Sequence, residues 1–134
     1  MNEKQREALI TAATAAQKQA YAPYSRFEVG AALLGTGGTI YIGTNVENAS
    51  YGLTNCAERV AVGCAIADGE RHFEALAVAS VGGAAPCGAC RQVLLEFAPQ
   101  LSILLIDTGG KNQTVEVDLE ALVPMPFSPH REER

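Results

Sequence analysis

Pro86-Cys87-Gly88-Ala89-Cys90, read with the earlier Cys56-Ala57-Glu58, decides how this chain is built. The two fragments supply three thiolate ligands and one carboxylate that is not needed as a ligand. Zinc held by three protein ligands keeps its fourth position for water, which separates catalytic sites from closed structural ones. Glu58 stands two residues from Cys56, where a carboxylate can move protons on and off that water. Pro86 to Cys90 opens a helix, so Cys87 and Cys90 lie at i and i+3 on one face. Cys56 opens a second helix. Two helix N-termini then point at one cation, and their unpaired N–H groups and dipoles favour thiolate. The pattern is that of a zinc hydrolase.

Three thiolates leave the site with a formal charge of about −1 around the ion, which blunts its power to acidify water. The helix dipoles and the neighbouring cation Arg59 offset that excess. Cys64, the fourth cysteine, lies eight residues after Cys56 in the same expected helix, a rise of about 12 Å at ~1.5 Å per residue. Zn–S bonds of about 2.3 Å cannot join two such sulfurs to one ion, so Cys64 is expected to be a small buried core residue. Two blander readings compete: a dithiol redox pair at Cys87 and Cys90, and a closed structural zinc site. The redox reading gives Glu58 no role and leaves Cys56 unexplained.

The chain has 134 residues, the size of one domain, expected to span 1–134. Hydrophobic residues make up 48%, enough for a real core. Charged residues are 19%, which hints at surface covered by other subunits. The net charge of −5 comes without a basic stripe, which argues against nucleic-acid binding. The tail His130-Arg131-Glu132-Glu133-Arg134 is mixed in sign and reads as solvated. No run approaches the ~18 apolar residues of a membrane span. The start, Met1 to Glu7, lacks the layout of a signal peptide. A cytoplasmic location is therefore expected, where cysteines bind metal more readily than they form disulfides.

Helical spacing of Leu9, Ile10, Ala13 and Ala16 predicts a first helix over residues 2–20, broken by Tyr21-Ala22-Pro23-Tyr24-Ser25. Phe27 to Leu34 and Thr39 to Asn45 read as a hairpin turned by Gly35-Thr36-Gly37-Gly38. Val46 to Asn55 reads as a loop and Cys56 to Asp68 as a helix. Strand, helix, strand and strand follow at Leu76–Ser80, Cys87–Phe97, Leu101–Asp107 and Thr114–Val117, with a turn over Thr108–Asn112. Asp118 suits the cap of a last short helix through Leu122. Fold class is α/β: a three-layer α/β/α arrangement around a mixed five-stranded sheet.

The general signature of zinc deaminases, H-x-E…P-C-x-x-C with Cys allowed in place of His, fits both fragments. The chain resembles the short, all-cysteine cytidine deaminases along nearly its whole length. The segments that carry the resemblance are Tyr21-Ala22-Pro23-Tyr24-Ser25, Phe27-Glu28-Val29-Gly30-Ala31-Ala32, Asn45-Val46-Glu47-Asn48, Cys56-Ala57-Glu58-Arg59 and Pro86-Cys87-Gly88-Ala89-Cys90-Arg91-Gln92. It continues to Leu122-Val123-Pro124 and Phe127. The resemblance implies zinc on Cys56, Cys87 and Cys90, and Glu58 as the proton shuttle while zinc-bound hydroxide attacks C4 of cytosine, giving uridine and ammonia. It implies that Asn45 and Glu47 bind the ribose 3′-hydroxyl, that Phe27 lines the pocket, and that Val46 and Ala57 also touch substrate. Arg59 would hydrogen-bond the zinc thiolates. Phe127 would reach a neighbouring subunit's site and Tyr51 would lie near a subunit junction, in a homotetramer.

Read without the resemblance, these residues say less. Asn45 and Glu47 alternate at a strand end and could face one side, although a loop would also accept them. Phe27 in an apolar strand suits a core. Phe127, after Pro124-Met125-Pro126, needs somewhere to dock. His72 and His130 have no ligand partner at metal spacing, and a surface place is expected for both. Thr44, where many of the family carry Cys, Ala85 before Pro86, and Met125-Pro126 depart from the family pattern. The expected substrates are free cytidine and 2′-deoxycytidine, since a nucleoside needs neither base flipping nor a basic channel. Rival readings are a blasticidin-type antibiotic or a nucleotide as substrate, nucleic-acid editing, and a zinc-stabilised binding protein. A nucleotide enzyme would need cations for phosphate, and no Lys/Arg cluster lies near the motifs.

Overall fold

Alternate residues of the central strands decide which helix lies on which side of the sheet. The structure, a computed structural model, describes residues 1–111 and 113–128. Five strands, β1 (Gly30–Gly35), β2 (Ile40–Thr44), β3 (Phe73–Ser80), β4 (Ser102–Asp107) and β5 (Thr114–Asp118), form one sheet in the order β2-β1-β3-β4-β5. β3 and β4 pair in parallel and the other neighbours are antiparallel, so the sheet is mixed. Ala32, Leu34, Ala75, Ala77, Ala79, Leu104 and Ile106 face one side, where they pack on Leu9 and Ala13 of helix α1 (Glu3–Gln17). Ala31, Leu33, Leu76, Val78 and Ile103 face the other, against α2 (Ala57–Ala67) and α3 (Gly88–Phe97), with Leu119 of α4 (Leu119–Leu122) joining them. This is the period of two expected of strands covered on both faces. The α/β/α sandwich expected from the sequence is present.

Local chemistry sets the element ends. Asn2 caps α1 in a reciprocal capping box with Gln5. Strand β1 starts three residues later than the apolar run suggests. Arg26 adopts φ 60°, and the amides of Phe27 and Val29 donate to the side chains of Ser25 and Asn45 rather than to a neighbouring strand. Strand β3 begins earlier than expected, because Phe73 pairs with Gly35 across a register shift. The loop after β2 holds a 3-10 turn over Tyr51–Leu53 and short bridges from Val46 to Tyr21 and Asn55. Asp118 occupies the N-cap of α4, yet its side chain makes no capping bond. The turn expected through Asn112, and His130 with the charged tail, lie partly or wholly outside the described residues.

Cys64 corrects the sequence reading. It is exposed, not core. Helix α2 buries Ala57, Glu58, Ala61, Val62 and Ala65, one stripe at i, i+4 and i+8. Cys64 falls outside that stripe, on the side that carries the exposed Gly63 and Ala67. Small size made it acceptable in a core, but helical phase decides the matter.

Candidate active site

The two helices that carry the cysteines begin at the sheet end where β1 starts and β2 and β3 finish. Cys56 is the N-cap of α2 and Cys87 the N-cap of α3, both with extended backbone, while Cys90 sits inside α3. Residues at helix starts therefore supply the whole cluster. The Sγ atoms of Cys56, Cys87 and Cys90 all lie within 4.8 Å of one another, and Cys87 and Cys90 are 3.6 Å apart. Tetrahedral Zn–S bonds of about 2.3 Å put sulfurs about 3.8 Å apart. All four cysteines are free of disulfides. Three convergent thiols, with no fourth donor grouped with them among the described residues, fit zinc with an open position. Cys64 is not among them.

The electrostatics divide the three thiols. Burial opposes the Cys87 thiolate, but the N–H groups of Cys90 and Ala89 and the Cys90 thiol together carry its pKa below the ordinary value. Burial pushes the Cys90 thiol up, helped by the negative charge of Glu58 and of Cys56. The helix-end stabilisation expected for both cysteines of α3 thus reaches Cys87 alone, and Cys90 needs a cation beside it to ionise. Arg59 Nη2 donates to Cys56 Sγ at 3.3 Å, and its Nε–H is buried with no partner among the described residues. Arg91 reaches the opposite side of the motif: its Nε donates to Pro86 O at 2.7 Å and its Nη1 to Leu122 O at 3.1 Å. Sequence reasoning gave Arg91 no role. Its position beside Cys90 was the available signal.

A cleft of about 190 Å³ opens beside the thiols, lined among others by Phe27, Asn45, Ala57, Glu58, Cys56 and Cys87. Glu58 is only 6% exposed there, and burial raises its pKa against the weaker opposing pull of its backbone and Arg59. A carboxyl whose pKa is raised by burial is more readily protonated than an exposed one, as a group that carries a proton needs to be. Phe27 is 42% exposed and belongs to the cleft wall, so the core place that its apolar setting suggests is not the one it takes. Asn45 is buried; its Oδ1 accepts from Val29 N at 3.0 Å and its Nδ2 donates to Phe27 O at 2.7 Å.

Not every expected contact residue reaches this cleft. Glu47 lines an adjoining hollow of about 380 Å³ with Tyr24, Ser25, Asn48 and Tyr51, and Thr54 walls both spaces. Val46 is exposed and spends its backbone on Asn55. Phe127 is 72% exposed, with its carbonyl held by Gln92 Nε2 at 3.4 Å. His72 is exposed, as expected.

The family model described as the cytidine and deoxycytidylate deaminase zinc-binding region matches residues 3–105. A cytidine deaminase from Sporosarcina psychrophila is 49% identical over 124 residues, covering 91% of this chain and 90% of that protein. Another, from Halalkalibacterium halodurans, is 46% identical over 126 residues, with coverages of 92% and 94%. The crystal structure of cytidine deaminase from Burkholderia pseudomallei superimposes with a TM-score of 0.86 at 48% identity, covering 95% of this chain and all of that one. With the thiol triad and buried carboxylate in place, these likenesses show that the chain belongs to the zinc-binding family of cytidine and deoxycytidylate deaminases.

Proposed function

We propose that this chain is a single catalytic domain that hydrolyses the exocyclic amine of cytidine and 2′-deoxycytidine, with Glu58 as the proton carrier. The observation that carries the reading is a buried carboxylate sharing one small cleft with Cys56 and Cys87, two of three convergent thiols. Held by Cys56, Cys87 and Cys90, zinc supplies the Lewis acidity that activates water at neutral pH. Glu58 accepts a proton from the attacking water and places it on N3 of the base. It then delivers the second proton to the amino nitrogen as the C4–N bond breaks, leaving uridine and ammonia. Burial supports this role, because a carboxyl of raised pKa holds a proton long enough to hand it on.

Phe27 and Ala57 wall the base. Asn45 retains one amide hydrogen and Glu47 retains carboxylate lone pairs for the sugar 3′-hydroxyl, once their own backbone contacts are counted. Arg59 tempers the thiolate charge. Phe127, Met125, Tyr51 and Leu53 are large, apolar and exposed, which supports burial of these residues between copies of the chain in a homotetramer. Among the described residues no helix is long and apolar enough to cross a membrane. Four free thiols suit the reducing cytoplasm.

Glu58→Gln tests the reading directly. The variant is expected to retain zinc and lose turnover of cytidine by orders of magnitude. Retention of both zinc and turnover would overturn the proton-carrier role. Wild-type protein assayed against cytidine, a cytidine nucleotide and blasticidin S decides the substrate, with ammonia release from cytidine expected to be fastest.

A further inference from the structure

The loop from Tyr21 to Val29 runs past the cleft under visible strain. Arg26 is the non-glycine residue with positive φ among the described residues, at 60°. Such a conformation is disfavoured for a residue with a side chain and persists only where the surroundings over-determine it. Here they do. Arg26 N donates to Ala22 O at 2.9 Å, which closes one tight turn. The Glu47 carboxylate then gathers the same segment: Oε1 accepts from Tyr24 N at 2.9 Å and from Ser25 N at 3.1 Å, and Oε2 accepts from the Ser25 hydroxyl. The Ser25 oxygen in turn accepts from Phe27 N at 3.0 Å. On its far side Phe27 O is held by Asn45.

Ser25 is the side chain that touches both Glu47 and the backbone of Phe27. Its hydroxyl hydrogen is given to the carboxylate and its lone pair is taken by the amide, so its position is fixed from two directions. Glu47 lies in the outer hollow and Phe27 in the cleft, and the hydroxyl bridges the step between the two spaces. A residue that sets a carboxylate and an aromatic wall at one distance controls how a ligand spanning both will fit.

We infer that Ser25 is a positioning residue that couples Glu47 to the Phe27 wall, so that sugar and base are gripped by one preorganised surface. The inference rests on the proposed nucleoside chemistry for its kinetic consequence, though the relay itself is independent of any substrate. The hydrogen bond from Ser25 is the main reason the Glu47 carboxyl lies below its usual range, which agrees with a carboxylate held as an acceptor only.

Ser25→Ala and Ser25→Thr, each with zinc bound, test the coupling. With cytidine, Ser25→Ala is expected to raise KM about tenfold, as for the loss of a hydrogen bond to a charged group, and to leave kcat within about twofold. Ser25→Thr, which keeps the hydroxyl, should restore KM. With 3′-deoxycytidine, which offers Glu47 no hydroxyl, the alanine penalty should shrink to less than about threefold. An equal penalty on both substrates, or none on either, overturns the coupling. Amide exchange at Phe27 gives a second readout, expected to quicken in Ser25→Ala while the midpoint of thermal unfolding holds; unchanged exchange also overturns it. If wild-type protein fails to deaminate cytidine, the functional reading falls, and exchange alone still judges Ser25. Should the alanine variant not fold, Ser25→Cys, a weak donor of similar size, replaces it in both measurements.

Discussion

Arg59 lays its guanidinium against Cys56, with Nη2 donating to Sγ at 3.3 Å from one helical turn away. The contact binds a fixed positive charge to one of three thiols whose combined negative charge would weaken a metal's pull on water. The Cys56 thiol is also the main reason the guanidinium's own pKa is raised, so the pair is mutually stabilising. Outer-shell partners of this kind typically cost 10–100-fold in metal affinity or activity when removed. Arg59→Ala is therefore expected to lower turnover of cytidine by about 10–100-fold. Zinc content, measured alongside, separates the two routes: full zinc with low turnover means that the charge was needed for chemistry. Full turnover would show the contact to be idle.

Gly43 faces the first turn of α2 so closely that a Cβ there would lie 2.3 Å from Ala57 O and 2.5 Å from Ala61 N. Both are helix backbone and cannot swing aside. Gly43→Ala should push α2 away from β2, with a cost of roughly 1–3 kcal/mol for overpacking. Because α2 opens with Cys56 and Glu58, cytidine turnover should fall together with the unfolding midpoint. A variant as stable as wild type would mean that the helix can shift freely, and the site would then be less rigidly held than this packing implies.

Much of this arrangement was legible in the sequence because it rests on local rules. A proline followed by a cysteine at a helix start, and a cysteine before Ala57-Glu58, place thiols where amide hydrogens are unpaired. The strand pattern fixes the two faces of the sheet through its period of two. What escaped depends on relations that no single stretch carries. The exposure of Cys64 follows from the phase of α2 against the sheet, and small residues on both sides of that helix concealed the phase. Phe27 left the core because Ser25 and Asn45 hold its backbone outside the strand, and the Asn45 bond comes from 18 residues away. Arg91 gained its partners from Pro86 and from Leu122, 31 residues on, a distance that spacing rules do not cross.

Asp107 ties two loops at the same end of the sheet. Its Oδ1 accepts from Gly82 N at 2.8 Å and from Gly109 N at 2.9 Å, and these bonds hold its pKa below the ordinary 3.8. A lowered folded-state pKa means that the contribution is fully present above the unfolded value and is lost as pH falls through the folded one. Asp107→Asn should therefore unfold at a lower temperature than wild type at about pH 7, with the gap narrowing as pH falls below the ordinary carboxyl value of 3.8. Thermal unfolding of both proteins across that range checks the sign. A gap that widens in acid would contradict the assignment. Ala84 and Ala85, in the loop after Gly82, line the cleft, so a modest rise in KM for cytidine should accompany the neutral-pH loss.

The four cysteines should separate into two groups under substitution. Cys90 is fully buried and within 4.8 Å of two other thiols, whereas Cys64 is exposed and outside the cluster. Cys64→Ser should retain zinc and full activity, since nothing in the site depends on its sulfur. Cys90→Ser should lose both, because a buried hydroxyl in place of a thiolate leaves two ligands where an open catalytic site needs three. Chelation of the wild-type protein should abolish turnover of cytidine, and added zinc should restore it. Alkylation adds a direct measure of exposure. With zinc bound, one thiol reagent equivalent should go to Cys64 without loss of activity, and after chelation Cys56 and Cys87 should become reactive too. Labelling at Cys64 that removed zinc would place the fourth cysteine within reach of the ion, and the helical rise that separates it from Cys56 would have to be wrong.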